Sequence, residues 1–250
     1  MSMDVAELKA FYADTLGAMA RRLIGEKLRE LWPNVAGDRL LGIGFATPYL
    51  AALGDGAESR LAFMPAEQGV IPWPTEGRNA TALVLDDALP LPGASVDRVL
   101  AIHLLEMSDN GRGVLQEVWR VMAPGGRLVV VVPNRAGVWA RSERTPFGHG
   151  RPFSRGQLAA LLRETLFSPV AWTGALAMPP WSSAVLLGGA PTWEQAGAWL
   201  WPRLSGVLIV EATKLVQQRV AAKAPRRIAR RAFNPALAPP GGIGARSEAG

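Results

Sequence analysis

The sequence contains no cysteine. Structural disulfides, thiolate metal sites and a cysteine nucleophile are therefore excluded, and the chain suits a reducing compartment. Histidine is nearly as scarce, with only His103 and His149 among 250 residues. Two imidazoles without a clear carboxylate constellation make no metal site, so none is expected. No segment approaches the ~18 uninterrupted apolar residues of a spanning helix. The N-terminus lacks a continuous apolar core and carries Asp4 and Glu7 where a secretory leader would be basic. A cytoplasmic protein is expected.

Acidic residues run short towards the end. After Glu211, the basic residues Lys214, Arg219, Lys223, Arg226, Arg227, Arg230, Arg231 and Arg246 face only Glu248, within a net charge of +6. Such an end fits a solvated tail or an anionic partner such as a membrane surface. No interleaving of aromatic and basic residues typical of RNA platforms is present, so nucleic acid is not the expected partner.

What is present is apolar: 49% of residues are hydrophobic and 19% charged, enough for one large α/β domain. Val5, Leu8, Phe11, Tyr12, Leu16, Met19, Leu23, Leu28 and Leu31 recur at helical spacing, predicting a helix over 4–31 that Pro33 ends. Strands are predicted at 39–44, 60–64, 80–85, 96–102 and 127–132, with later ones at 168–176 and 206–213. Helices are predicted at 113–122 and 154–166, the second capped by Ser154. Residues 65–79 hold Pro65, Pro72, Pro74 and Gly77 and read as a loop. Pro124 to Gly126 reads as a turn. Near-continuous apolar strands alternating with helices indicate a parallel sheet buried on both faces. Residues 178–203 form a Trp/Pro-rich insertion, and the tail from 224 to 250 is expected to be disordered.

The first strand runs into Gly42-Ile43-Gly44-Phe45-Ala46-Thr47-Pro48. Alternate glycines permit a sharp turn and let a ligand approach the backbone. Ala46 permits tight packing of the next helix, and Thr47 and Pro48 suit its cap and first turn. The amides of that helix would face the ligand. On this reading Gly44→Val abolishes ligand binding while leaving the fold largely intact.

Further on stand Asp86-Asp87-Ala-Leu-Pro, then Asp97, then His103-Leu-Leu-Glu106, then Met122-Ala-Pro-Gly-Gly126 before a strand. In this order the segments resemble the class I S-adenosylmethionine-dependent methyltransferases of the methyltransferase type 11 group, over roughly residues 37–170. The resemblance implies a Rossmann-like, seven-stranded, mostly parallel sheet with its last strand antiparallel and helices on both faces. It implies that residues 1–223 form the methyltransferase domain, with S-adenosylmethionine as cofactor. Gly42, Ile43, Gly44 and Ala46 would cradle it, Asp86 or Asp87 would meet the adenine amino group, and Tyr12 on an N-terminal lid helix would contact it. His103, Glu106 and His149 would lie near the reactive centre, with His103 and His149 the candidate catalytic bases. Arg21 and Arg22 are weaker candidates, and Asp97 is expected to be structural.

The chain departs from the group at two places. Leu40 stands where an acidic residue usually precedes the first glycine. Phe63-Met64-Pro65 replaces the acidic end of strand two that would hold the ribose hydroxyls. Glu67 could reach in from the loop. A nicotinamide oxidoreductase would need G-x-G-x-x-G and that same acidic end, and neither is present. The acceptor is expected to be a small or lipid-like molecule. Trp193, Trp199 and Trp201, within 181–204, could serve with the basic tail as a lid, a membrane contact or a surface for a partner protein. A non-catalytic protein that binds a partner through those segments is the alternative.

Overall fold

Two helices stand where the periodicity predicts one. The computed structural model describes residues 3–180 and 205–215, and its first elements are α1 (Val5–Ala13) and α2 (Thr15–Leu31). Asp14 separates them: its backbone is extended, and its carboxylate accepts from the Thr15 amide. Asp4 opens α1 with a capping box completed by Glu7. A Cβ at Gly17 would overlap the Phe11 carbonyl oxygen, so glycine lets the two helices meet at the corner. Apolar spacing continues through the break because both helices lie on one face of the sheet.

The strands are β1 (Arg39–Gly44), β2 (Ser59–Pro65), β3 (Thr81–Val84), β4 (Val96–Ile102), β5 (Met122–Pro133), β6 (Phe167–Ala175) and β7 (Val207–Lys214). They form one seven-stranded sheet in the order β3-β2-β1-β4-β5-β7-β6. All pairings from β3 to β5 are parallel, and β7 is antiparallel to both neighbours. The Rossmann-like α/β sheet and its antiparallel last strand are as the resemblance implies.

Strand side chains alternate between two cores. Leu40, Leu100, Ile102, Val129 and Val131 pack under α1, α2 and α3 (Thr47–Leu53). Leu41, Ile43, Val99, Ala101 and Val130 pack under α4 (Gly111–Val121) and α5 (Arg155–Glu164). Burial on both faces explains the continuous apolar runs. No helix connects β2 to β3, and residues 66–79 are a loop as the prolines predict, with Pro65 still in the strand.

Two local expectations are corrected. The cap of α3 is Ala46, not Thr47, and it makes no side-chain bond. Thr47 is buried and already helical. The turn at 124–126 lies inside β5: Val96 pairs with Met122 and Arg98 with Arg127, so residues 123–126 bulge from the ladder. The Trp-rich segment 181–204 and the tail 224–250 lie outside the described residues.

Candidate functional site

Strand order reverses between β1, which leads back to β2 and β3, and β4, which leads on to β5. Ligands of open α/β sheets bind beyond the carboxyl ends of the strands at such a switch. Register places Gly44 beside Ile102 there, so the glycine turn and His103 are neighbours.

The glycines are needed by the chain itself. Gly44 has φ +82°, and a Cβ on it would overlap the Ile102 carbonyl oxygen. A Cβ at Gly42 would lie 2.6 Å from Leu50 Cδ1 and 2.7 Å from Ala46 Cβ. Gly44 lets β1 pass β4, and Gly42 lets α3 sit on β1. This corrects the expectation that Gly44→Val would spare the fold. The residues from Gly42 to Thr47 are all buried. Tyr12 from α1 stacks on Phe45 at 5.6 Å between centroids and meets Tyr49 edge-on at 6.0 Å.

Beneath this aromatic cover runs a line of buried polar groups. Tyr49 Oη lies 3.0 Å from Tyr12 Oη, and Tyr12 Oη lies 2.8 Å from His103 Nε2. His103 Nδ1 is 3.2 Å from Glu106 Oε1, with both side chains sealed from solvent. That last approach is close but poorly aligned, and neither Nδ1 nor either Glu106 oxygen completes a hydrogen bond. Burial pushes the Tyr12 phenol well up, reinforced by Tyr49 and Glu106, and burial likewise raises Tyr49. His103 has φ +53°, rare for a residue with a side chain. This conformation turns its carbonyl towards the Gln68 amide, whose Nε2 donates to it at 2.9 Å.

A cavity of about 180 Å³ opens beside these groups, at the ends of β2, β3 and β4. Glu67, Gln68, Asp86, His103, Asp109 and Asn110 are among the residues that line it. Its polar lining includes the acceptors of the Glu67 and Asp86 carboxylates. Asp109 is paired with Arg151 at 2.6 Å. Such a lining suits a ligand that presents N–H and O–H donors and disfavours a phosphate. Whole small-molecule ligands occupy roughly 300–1,000 Å³, so this cavity suits one portion of a ligand.

The structure brings Tyr12, Gly44, His103 and Glu106 together and sets Asp86 on the cavity wall. Asp87 is not among the lining residues and accepts from one of them, Asn110 Nδ2, at 3.2 Å. His149 is not among these contacts, and its Nε2 lies 2.8 Å from the Glu143 carbonyl oxygen. Its loop does reach the site, since the Phe147 ring lies 4.9 Å from His103. Arg21 and Arg22 are exposed. Asp97 holds Arg39 through both side chain and backbone, in the structural role expected. Leu40 and Met64 are buried in the core under α1–α3, and Phe63 on the opposite face, so no carboxylate stands at these places. Among the described residues no group of three or more His, Asp or Glu could hold a metal, and no helix is long and apolar enough to cross a membrane.

Tyr49 and Gln68 were not anticipated from sequence. One signal for Tyr49 was available: the chain has only two tyrosines, and Tyr49 sits one turn after the glycine motif.

The chain is similar to known proteins in part of its sequence and in its fold. Residues 41–130 match a family model described as a methyltransferase domain. A curated protein of Mycolicibacterium smegmatis named "Probable S-adenosylmethionine-dependent methyltransferase" is 35% identical over 81 residues, which are 32% of this chain and 31% of that protein. The chain thus matches about a third of the length of that relative. An S-adenosylmethionine-dependent methyltransferase from Thermotoga maritima superposes with TM-score 0.60 at 17% identity, over 84% of this chain and 96% of that one. The [4+2]-cyclase SpnF superposes with TM-score 0.55 at 22% identity, over 79% and 81%. The chain has the fold of class I S-adenosylmethionine-dependent methyltransferases, and residues 41–130 within it are similar to a methyltransferase domain.

Proposed function

We propose that the chain transfers a methyl group from S-adenosylmethionine to a small-molecule or lipid-like acceptor. The observation that carries this reading is the acceptor-rich cavity at the switch of a methyltransferase sheet, continuous through His103 with a buried Tyr–His–Glu line.

The fit is good at the nucleoside end. Asp86 lines the cavity, and its carboxylate would accept from the adenine amino group. At the glycine turn, Tyr12 and Phe45 occupy the approach, so loading requires α1 to shift off the turn. The cofactor supplies a methyl group on a sulfonium, electrophilic enough for in-line displacement once the acceptor is aligned. The chain's own part is to align, to exclude water and to take up a proton. Return of α1 would seal the site with Tyr12, Phe45 and Phe147. Where the acceptor loses a proton, Tyr12 Oη can receive it while passing its own to His103 Nε2, leaving an imidazolium beside Glu106.

Calorimetric titration with S-adenosylmethionine and S-adenosylhomocysteine tests the reading. Micromolar binding of both is expected. Absence of binding to either at millimolar concentration would overturn it.

A further inference from the structure

Between β5 and α5 the chain spends five arginines and one carboxylate. Arg135, Arg141, Arg144, Arg151 and Arg155 are all exposed, and Glu143 is the one acidic residue among them. The loop leaves β5 at Pro133, at the sheet edge that carries the site, and its Phe147 ring lies 4.9 Å from His103. We propose that this loop docks the protein on a lipid bilayer whose surface carries anionic headgroups, with the site edge of the sheet held near the membrane.

The loop is tied into a compact unit. The Arg135 amide donates to the Phe153 carbonyl at 2.9 Å, closing its two ends. The Arg151 amide donates to the Glu106 carbonyl at 2.7 Å, which holds it to the segment after β4. Its large aromatics turn inward: Trp139 and Phe147 are buried, and Trp139 Nε1 donates to the Met178 carbonyl oxygen at 2.6 Å. Apolar rings anchor the loop, and the guanidiniums are left outside.

Those charges are largely unspent. Elsewhere, ion pairs join Arg39 to Asp97, Arg98 to Asp38 and Arg120 to Glu117. In the loop only Arg151 has such a partner, Asp109, and that pair is exposed on both sides. Arg135 donates only to the Pro152 carbonyl oxygen, and Arg155 lies over the Trp172 ring at 4.8 Å, so both keep their full charge. Arg141 and Arg144 have neither a side-chain hydrogen bond nor an ion pair among the described residues. Like charges gathered without counterions repel one another, and an anionic partner relieves that cost.

The arrangement favours an extended surface over a small anion. Small anions are held by convergent donors in a recess, whereas none of these arginines lines the cavity at the strand switch. It also favours lipid over nucleic acid, because Trp139 and Phe147 are buried and cannot stack on bases. The side chain exposed between Arg135 and Arg141 is instead Val138, an apolar group suited to the headgroup boundary. Orientation follows from charge. The loops after β2 and β3 carry Glu67, Asp86 and Asp87, which an anionic bilayer repels, so the β5 side must face it.

The test is co-sedimentation of the full chain with vesicles of phosphatidylcholine, alone or with about a third phosphatidylserine. Binding only to the anionic vesicles is expected, weakening steeply from about 0.1 M to about 0.5 M salt. Arg141→Gln with Arg144→Gln should weaken it about thirtyfold. Lysine at both positions should restore most of it, because the attraction is to charge. Arg29→Gln with Arg78→Gln removes the same charge from exposed positions off the loop and should cost less than about threefold. No binding of the wild type to anionic vesicles overturns the proposal. So does a loop variant that binds as the wild type does, or an equal loss in the Arg29 and Arg78 control. Release of the protein by inorganic phosphate at constant ionic strength would mean a small-anion site. Tighter binding to a single-stranded RNA, lost in the same loop variant, would mean a nucleic-acid surface. Each of these also overturns it. Vesicle binding involves neither cofactor nor methyl acceptor, so its failure leaves the methyltransferase reading standing.

Discussion

Tyr12 Oη lies 2.8 Å from His103 Nε2, joining the first helix to the end of the fourth strand across 91 positions of sequence. Tyr49 Oη donates to Tyr12 Oη at 3.0 Å, and on the other side of the imidazole His103 Nδ1 faces Glu106. The chain's two tyrosines and one of its two histidines are spent on this line.

Tyr12→Phe keeps the stacking on Phe45 but strands Tyr49 Oη and His103 Nε2 in a dry interior. A destabilisation of about 1–3 kcal/mol is expected, measured as a lower urea midpoint. Methyl transfer to an acceptor that must lose a proton should fall with it, by about 10²-fold or more. A variant with wild-type midpoint and rate would show that the line neither holds α1 nor moves a proton.

Gly44→Val should fail to fold or unfold at markedly lower denaturant, with a cost of about 3 kcal/mol or more. Its φ of +82° is strained for any β-branched residue, and its Cβ would overlap the Ile102 carbonyl oxygen. Gly42→Ala should cost less, about 1–3 kcal/mol, because the opposing Leu50 side chain can move. Native-like melting of the Gly44→Val protein would return Gly44 to a purely ligand-facing role.

Gly17→Ala tests the corner between α1 and α2. The added methyl overlaps the Phe11 carbonyl oxygen, which is backbone and cannot swing away. A loss of about 2 kcal/mol or more is expected, with the N-terminal segment becoming sensitive to limited proteolysis before the sheet does. Equal protection of α1 in the variant and the wild type would count against the tight corner.

The sheet was legible because its strands are buried on both faces and so read as plain apolar runs, Val129 to Val132 most clearly. The antiparallel last strand came from the family resemblance. The break at Asp14 was hidden because apolar spacing in α1 and α2 serves one continuous surface. In the glycine motif the spacing answers to contacts with Ile102, Ala46 and Leu50, which sequence does not display. Gln68 left no trace because a buried amide in a proline-rich loop has no periodicity to betray it. Its side chain is held by the His103 carbonyl oxygen, a contact 35 positions away in sequence.

The acid limb of stability provides the last test, at the opposite end of the sheet from the site. Asp97 accepts from Arg39 Nε at 2.8 Å, Nη2 at 2.9 Å and the Arg39 amide at 3.0 Å. The Arg39 guanidinium, aided by its amide and by Arg98, holds the Asp97 carboxyl below its ordinary range against the opposing effect of partial burial. A carboxyl that binds its proton less readily when folded adds stability above its unfolded pKa of about 3.9 and loses it as pH falls through the lower folded value. Both side chains are about a third exposed, 35% for Arg39 and 30% for Asp97, so solvent screening limits the contribution to on the order of 1 kcal/mol. Asp97→Asn should lower the unfolding free energy at pH 7 by that amount, read from urea denaturation, and lose less stability than the wild type between about pH 4 and pH 2. Glu117, held down by Arg120, keeps its own share of the acid limb in the variant. Parallel loss of stability in both proteins across that range would mean that the Arg39 pair does not stabilise the charged form of Asp97.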